Sequence, residues 1–362
     1  MHFAFAITEY FPFGGAQRDF YFVVEAMAKR GHQISVITLG WHGDKPSDWQ
    51  LYELEKNQAT NHGRIRALSN YVVSLKQQGL FDYVVGFTKL AGLDVYFAAD
   101  PCFTANRYRG LKRLLSRYRT YAAIEKTLFE TPHLHSFFLT QHQQDQYQTS
   151  FGLNPNNNYL LPVSVGESFH YSAEKFAAAR QWRKQYEQDT GRFLLLFVAA
   201  DFNTKGLDRV IAALARLSEQ QQSHFELWIV GNGKQSAYEN KLNMLRQLRF
   251  TFWGGQTDLA PFYFAADYLV HPARKEAAGM VLAEAAAARL PMLISDVCGY
   301  GFLAEQDKQS VVLDDKVIVH DLAKVLSGLT SSLPLRSDKN QNVSASSRAE
   351  LCADQIEAWC HG

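Results

Sequence analysis

Two carboxylates, Glu276 and Glu284, stand eight residues apart across the small-residue turn Ala277-Ala278-Gly279 and the start of an apolar helical stretch. Small residues let a ligand approach the backbone, and the free N–H groups at a helix start attract anions. Acids flanking such a spot can hold hydroxyls, as on a sugar and a ribose. Chemistry that needs both anion capture and hydroxyl capture is the handling of a nucleotide-sugar. Glu284 lies inside an otherwise apolar run, Gly279–Ala288. A buried carboxylate needs partners, and ligand hydroxyls would supply them.

Other loops carry matching signals. Phe11–Asp19 follows a first apolar run and opens a helix; its paired glycines, Gly14 and Gly15, permit close backbone approach. It resembles a phosphate-cradling turn without being GxGxxG. Asp201–Asp208 contains Lys205, which can reach a diphosphate as a point charge beside a helix N-terminus. Gly231-Asn-Gly233-Lys234 is not a Walker A loop and reads as a turn or as the wall of a base or ribose pocket. Arg274 and Lys275 precede Glu276, and two cations there suggest an anion site or a solvated charge cluster. Asn106–Lys126 holds Arg107, Arg109, Lys112, Arg113, Arg117, Arg119 and Lys126 against one acid, Glu125. Leu111, Leu114, Leu115, Tyr118, Tyr121 and Ala122 recur there at helical spacing. A basic amphipathic helix with tyrosines reads as an element that binds anionic headgroups at a membrane surface. The alternative is a solvated basic face over an ordinary core helix.

The elements that must position these loops alternate along the chain. Apolar runs at Phe3–Ile7, Ile34–Leu39, Tyr83–Phe87, Val95–Ala98, Phe137–Thr140 and Tyr159–Leu161 are interleaved with helical stretches such as Ala16–Arg30 and Arg107–Phe129. Runs such as Phe193–Ala199, Phe225–Val230, Tyr268–His271 and Met292–Ser295 repeat the plan further on. Apolar runs bounded by turn residues suggest strands buried on both faces of parallel sheets. The rhythm predicts an α/β protein of two doubly wound domains facing a central cleft, with the chemistry in strand-to-helix loops. The expected bounds are 1–165, 166–345 and a terminal helix within 346–362 that crosses back to the first domain.

Composition narrows the classes. The chain of 362 residues is long enough for two cores, and its formal net charge of +1 argues against a nucleic-acid partner. Four cysteines, Cys102, Cys298, Cys352 and Cys360, form no CxxC and no metal-ligand spacing. That suits reduced thiols in a cytosol. Met1–Ile7 lacks a basic n-region and cleavage site, so it reads as a buried strand rather than a signal peptide. No apolar run reaches the roughly 18 residues of a spanning helix.

Together these segments resemble a family. Tyr10–Asp19, Asn61–Arg64, Val85–Phe87, Gly92–Asp100, Ser116–Arg119, Lys205–Arg209, His271-Pro272, Glu276–Gly279, Glu284-Ala285 and Val297–Tyr300 look like retaining glycosyltransferases of family 4. That family has the two-Rossmann GT-B fold, and the nearest likeness within it is to lipopolysaccharide-core glucosyltransferases. The resemblance implies a UDP-sugar donor and an inner-core heptose acceptor. It places Glu276 on the donor hexose, Glu284 on the ribose, and Gly14, Gly15 and Lys205 on the diphosphate. Ala278, Gly279 and Gly231 would line the donor site. Asp19 and Asp100 would sit near the acceptor and the reacting sugar. It further implies chemistry without a metal or cofactor, and a peripheral location on the cytoplasmic face of the inner membrane. One departure stands out. The family sets a second cation just before the lysine or a few residues earlier, where this chain has Thr204 and Ala200. Arg274 or Lys275 is expected to replace it. A nucleotide-sugar epimerase on the same fold and a non-catalytic membrane scaffold are the competing readings.

Overall fold

The computed structural model describes residues 1–12, 15–105, 113–186, 191–329, 336 and 343–361. The chain divides into two compact units, Met1–Pro162 with Ser347–Gly362, and Val163–Ser346. The boundary expected after residue 165 thus falls after Pro162, and the terminal helix belongs to the first unit.

The first unit holds the strands β1 (His2–Ala6), β2 (Gln33–Thr38), β3 (Gln50–Glu53), β4 (Tyr83–Gly86), β5 (Val95–Phe97), β6 (His135–Phe138) and β7 (Asn158–Leu160). They form one parallel sheet in the order β3-β2-β1-β4-β5-β6-β7. The second unit holds β8 (Phe193–Val198), β9 (Phe225–Val230), β10 (Arg249–Gly254), β11 (Tyr268–His271), β12 (Met292–Ser295) and β13 (Val311–Leu313). Their order is β10-β9-β8-β11-β12-β13, again parallel. Both sheets follow the doubly wound order, running outward one way from the first strand and then the other. The switch points are β1/β4 and β8/β11. Every residue of β8 and β9 is buried. That is why β8 reads as an unbroken apolar run rather than as alternation, and β9 departs from one only at Glu226, whose carboxylate accepts from Trp228 Nε1 at 2.7 Å.

Helices fill the crossovers. Gly15–Lys29 follows β1 and buries Phe20, Val23, Val24, Ala26 and Met27. The long helix expected over Arg107–Phe129 is, among the described residues, Ser116–Phe129. Leu115 before it is extended (φ −62°, ψ 136°), which separates this α-helix from a 3-10 turn at Arg113 and Leu114. Arg107, Arg109 and Lys112 lie outside the described residues, as does Gly14. The terminal helix Arg348–His361 buries Cys352, Ala353 and Ile356, and its Trp359 stacks on His135 at 4.5 Å between ring centroids. Among the described residues no helix is long and apolar enough to cross a membrane. All four cysteines are free thiols.

Candidate active site

The second unit gathers its charged residues at the carboxyl ends of β8 and β11, the switch point of that sheet. After β8 the chain turns through Asp201, whose carboxylate accepts from the N–H groups of Asn203 (3.0 Å) and Thr204 (3.3 Å) and from the Thr204 hydroxyl (2.6 Å). These contacts, the Thr204 hydroxyl first, hold the Asp201 carboxyl below its ordinary range. They cap the single helical turn Phe202–Lys205. Gly206 ends that turn in the left-handed region (φ 85°), and a Cβ there would collide with the Pro272 carbonyl. The loops after β8 and β11 therefore lie in direct contact. Two arginines fasten them. The Arg209 Nη1 donates to the carbonyls of Pro272 and Ala273 (3.2 Å each), and the Arg274 Nη1 donates to the Asn203 carbonyl (2.6 Å).

This contact brings together residues far apart in sequence. Lys205 Nζ lies 2.5 Å from Glu276 Oε2, and His271 Nε2 lies 3.1 Å from the same oxygen. Burial alone would raise the Glu276 pKa, but the His271 hydrogen bond and the Lys205 charge outweigh it and hold the carboxyl at about 2. Glu276 is thus an anion at any working pH. Its backbone forms a parallel bridge with Cys298. The Cys298 thiol is buried, which pushes its pKa up to about 12. It is therefore an inert part of the floor.

Beyond Glu276, Ala278 is 4% exposed and its carbonyl accepts from Tyr300 N–H at 2.7 Å. Gly279 is left-handed (φ 94°, ψ 71°) and starts the helix Met280–Ala287, whose first amides open beside Glu276. Glu284 is 2% exposed, and the hydroxyl of fully buried Tyr263 donates to its Oε2 at 2.6 Å. This corrects one inference from sequence. A protein hydroxyl helps satisfy the buried Glu284 carboxylate, so burial by itself gives no argument for a ribose there.

Arg274, expected as a replacement cation, has a partner of its own. Its Nη1 and Nη2 meet Asp208 Oδ1 and Oδ2 at 2.8 and 2.6 Å, a bidentate pair. The hydrogen bond to Arg274 is the main cause of a lowered Asp208 pKa, and that to Asp208 of a raised Arg274 pKa. Arg274 already has a counter-charge in Asp208 and joins the loops after β8 and β11. Lys275 is exposed, and among the described residues its side chain has no ion-pair partner. Gly231 also has a structural reason to be glycine. Its φ is 132°, and a Cβ would run into the Ala199 carbonyl.

The first unit carries the other expected residues at the ends of its own strands. Gly15 begins the helix after β1, and a Cβ there would meet nothing within 4 Å. Asp19 on that helix pairs through Oδ2 with Nη1 of the terminal helix's Arg348 at 3.1 Å. Asp100 follows β5 and has an exposed side chain. Its carbonyl accepts from Gln143 Nε2 (2.9 Å) and Tyr147 Oη (3.4 Å). The loop after it is pinned by Glu125, which is 0% exposed and accepts from the N–H groups of Phe103 and Thr104 at 2.8 Å each. Lys89 pairs with Glu125 at 2.9 Å and donates to the Pro101 carbonyl at 2.6 Å. Arg113, Arg117 and Arg119 are exposed around the start of Ser116–Phe129. Leu114 and Leu115 stand out among them at 70% and 56% exposure.

Sequence reasoning passed over His271, Asp208, Gln143 and Arg348 as working residues. Glu125 had a signal: it is the one acid in a basic segment and stands in helical phase with Leu128. Asp208 and Arg348 had none, because their partners Arg274 and Asp19 are distant along the chain.

A family model described as "Glycosyl transferases group 1" matches residues 178–345. The chain is 37% identical over 340 residues to the lipopolysaccharide glucosyltransferase WaaG of Escherichia coli strain K12, spanning 92% of this chain and 90% of that protein. The crystal structure of WaaG, a glycosyltransferase involved in lipopolysaccharide biosynthesis, superposes with a TM-score of 0.79 at 36% identity over 90% of each chain. Sucrose-phosphate synthase from Thermosynechococcus elongatus shares the fold, with a TM-score of 0.64 at 15% identity over 99% of this chain and 96% of its own.

Proposed function

Because the chain belongs to the group 1 glycosyl transferases and has their two doubly wound GT-B sheets, we propose that it moves glucose or a related hexose from a UDP-sugar to a heptose of the lipopolysaccharide core. The observation that carries this reading is the Lys205–Glu276–His271 cluster at the β8/β11 switch point. An ionised acid suits hexose hydroxyls, and a lysine beside a helix start suits a diphosphate. The anomeric configuration is retained. Charge builds on the leaving diphosphate as the glycosidic bond breaks, and fixed cations there are a large catalytic contribution. Lys205 supplies that charge, assisted by the Met280–Ala287 amides and by Lys275, without a metal or a cofactor. Glu284 holds the ribose through hydroxyls. Gly14 and Gly15 let the diphosphate approach the backbone, while Asp19 and Asp100 serve the acceptor side.

The acceptor is a lipid-anchored glycan, and the enzyme meets it as a peripheral protein on the cytoplasmic face of the inner membrane. Support comes from Arg113, Arg117 and Arg119 beside exposed Leu114 and Leu115, a pairing of cations with apolar side chains suited to anionic headgroups. Radiolabelled UDP-glucose incubated with heptose-terminated lipopolysaccharide tests the activity. Transfer with an α-linked product supports it. Donor epimerisation without acceptor, or no turnover of any UDP-hexose, refutes it. Flotation with phosphatidylglycerol vesicles tests the surface. Undiminished binding after changing Arg113, Arg117 and Arg119 to glutamate would rule it out.

A further inference from the structure

Glu276 is held by two cation-side donors of different character. Lys205 is a long, strongly hydrated point charge whose side chain is 25% exposed. It is the group that must also serve a diphosphate. His271 is the last residue of β11 and 1% exposed, with its ring fixed in the core of the second unit. Its Nε2 sits 3.1 Å from Glu276 Oε2. An ionised carboxylate only accepts, so the proton of that hydrogen bond is on Nε2. The other ring nitrogen, Nδ1, is buried and has no hydrogen-bond partner among the described residues. The ring therefore offers Glu276 its Nε2–H, and Nδ1 gives it no second target among the described residues.

Both contacts to Glu276 fall on Oε2; among the described residues none falls on Oε1. A carboxylate pinned through one oxygen presents the other in a fixed direction. We propose that His271 is a positioning residue for the transferred hexose: its Nε2–H fixes the Glu276 carboxylate so that Oε1 receives a donor hydroxyl. This contact does not pass through Lys205: the His271 ring is 1% exposed at the end of β11 and bonds Glu276 directly. The inference rests on the reading of Glu276 as the hexose-binding acid. Nothing in the loop spacing announces it: the pairing arises from the bend between the end of β11 and Glu276.

The test compares ligands that differ only by the hexose. UDP and UDP-glucose affinities are measured calorimetrically for wild type, His271→Leu, His271→Gln and Glu276→Gln, together with kcat and KM for transfer. His271→Leu should keep its affinity for UDP and weaken for UDP-glucose by on the order of tenfold, the effect of one hydrogen bond to a charged acceptor. His271→Gln, whose amide nitrogen can occupy the Nε2 position, should recover most of the loss. Should His271→Leu fail to fold, His271→Asn replaces it, since its amide stops short of Glu276. An unchanged UDP-glucose to UDP affinity ratio in these variants, or an equal loss of both ligands, overturns the proposal. Glu276→Gln separates the two layers. If it leaves that ratio unchanged, the hexose role of Glu276 falls first and the role of His271 with it.

Discussion

At the residue scale, Gly15 and Lys205 give the sharpest tests. The fold makes no demand for glycine at position 15, where an added Cβ meets nothing. Gly15→Ala should therefore melt at the wild-type temperature. If the diphosphate uses the room, kcat/KM for UDP-glucose falls by at least about tenfold, roughly 1.4 kcal/mol; wild-type kinetics would remove Gly15 from the donor site. Gly231 cannot be tested that way, because the Ala199 carbonyl already excludes a side chain. For the cations, Lys205→Ala should lower kcat by on the order of a hundredfold or more, as for loss of one fixed group facing developing charge. Lys275→Ala should cost less, and Arg274→Ala should act mainly on stability, since Asp208 already neutralises it. Steady-state kinetics beside thermal melts separate these outcomes. Equal kinetic losses for Lys205 and Arg274 would refute the assignment of Arg274 as a staple.

At the element scale, the loop bearing Asp100 depends on a helix outside it. Glu125 in Ser116–Phe129 ties down Phe103 and Thr104 and meets Lys89, all with little solvent. Removing one partner of a buried pair leaves the other charge uncompensated, at a cost of about 3–5 kcal/mol. Glu125→Ala should lose roughly that in urea unfolding of the first unit. Leu114, which is 70% exposed, should tolerate alanine with almost no change. A small effect at Glu125 would mean the clamp is dispensable. Two of the elements that escaped the sequence did so for clear physical reasons. The helix Gln141–Phe151 buries only Gln143 and Tyr147, so no apolar stripe marks it. The edge strand β3 has no fully buried residue, so its Gln-Leu-Tyr-Glu gives no core pattern.

On the scale of the whole chain, the terminal helix makes the first unit a closed loop of sequence. Arg30 meets Glu350, Asp354 and Glu357 at 2.6, 2.7 and 2.7 Å, and His32 meets Glu357 at 2.8 Å. The His32 hydrogen bond is the largest cause of a lowered Glu357 pKa, followed on the lowering side by Arg30. A carboxyl depressed in the folded state stabilises above its unfolded value of about 4.3, and that contribution is lost as pH falls through the lower folded value. The first unit's melting temperature should thus fall as pH drops below about 4.3, and Glu357→Gln should flatten this slope. An unaltered slope in the variant would place the acid sensitivity elsewhere. The same helix delivers Arg348 to Asp19, so this docking also sets the environment of that carboxylate.

The two parallel sheets are legible in the chain's local pattern, because strands buried on both faces are written mostly as apolar runs. It also determined which loops carry charge and small residues, because those types have few other uses at strand ends. Pairing was set in space: Glu276 meets Lys205, Arg274 meets Asp208, Glu284 meets Tyr263, and Asp19 meets Arg348. Hydrophobic periodicity is a local property and survives in a single strand of text. A charge finds its partner through space, across crossovers that place distant loops side by side, and no spacing along the chain records that choice.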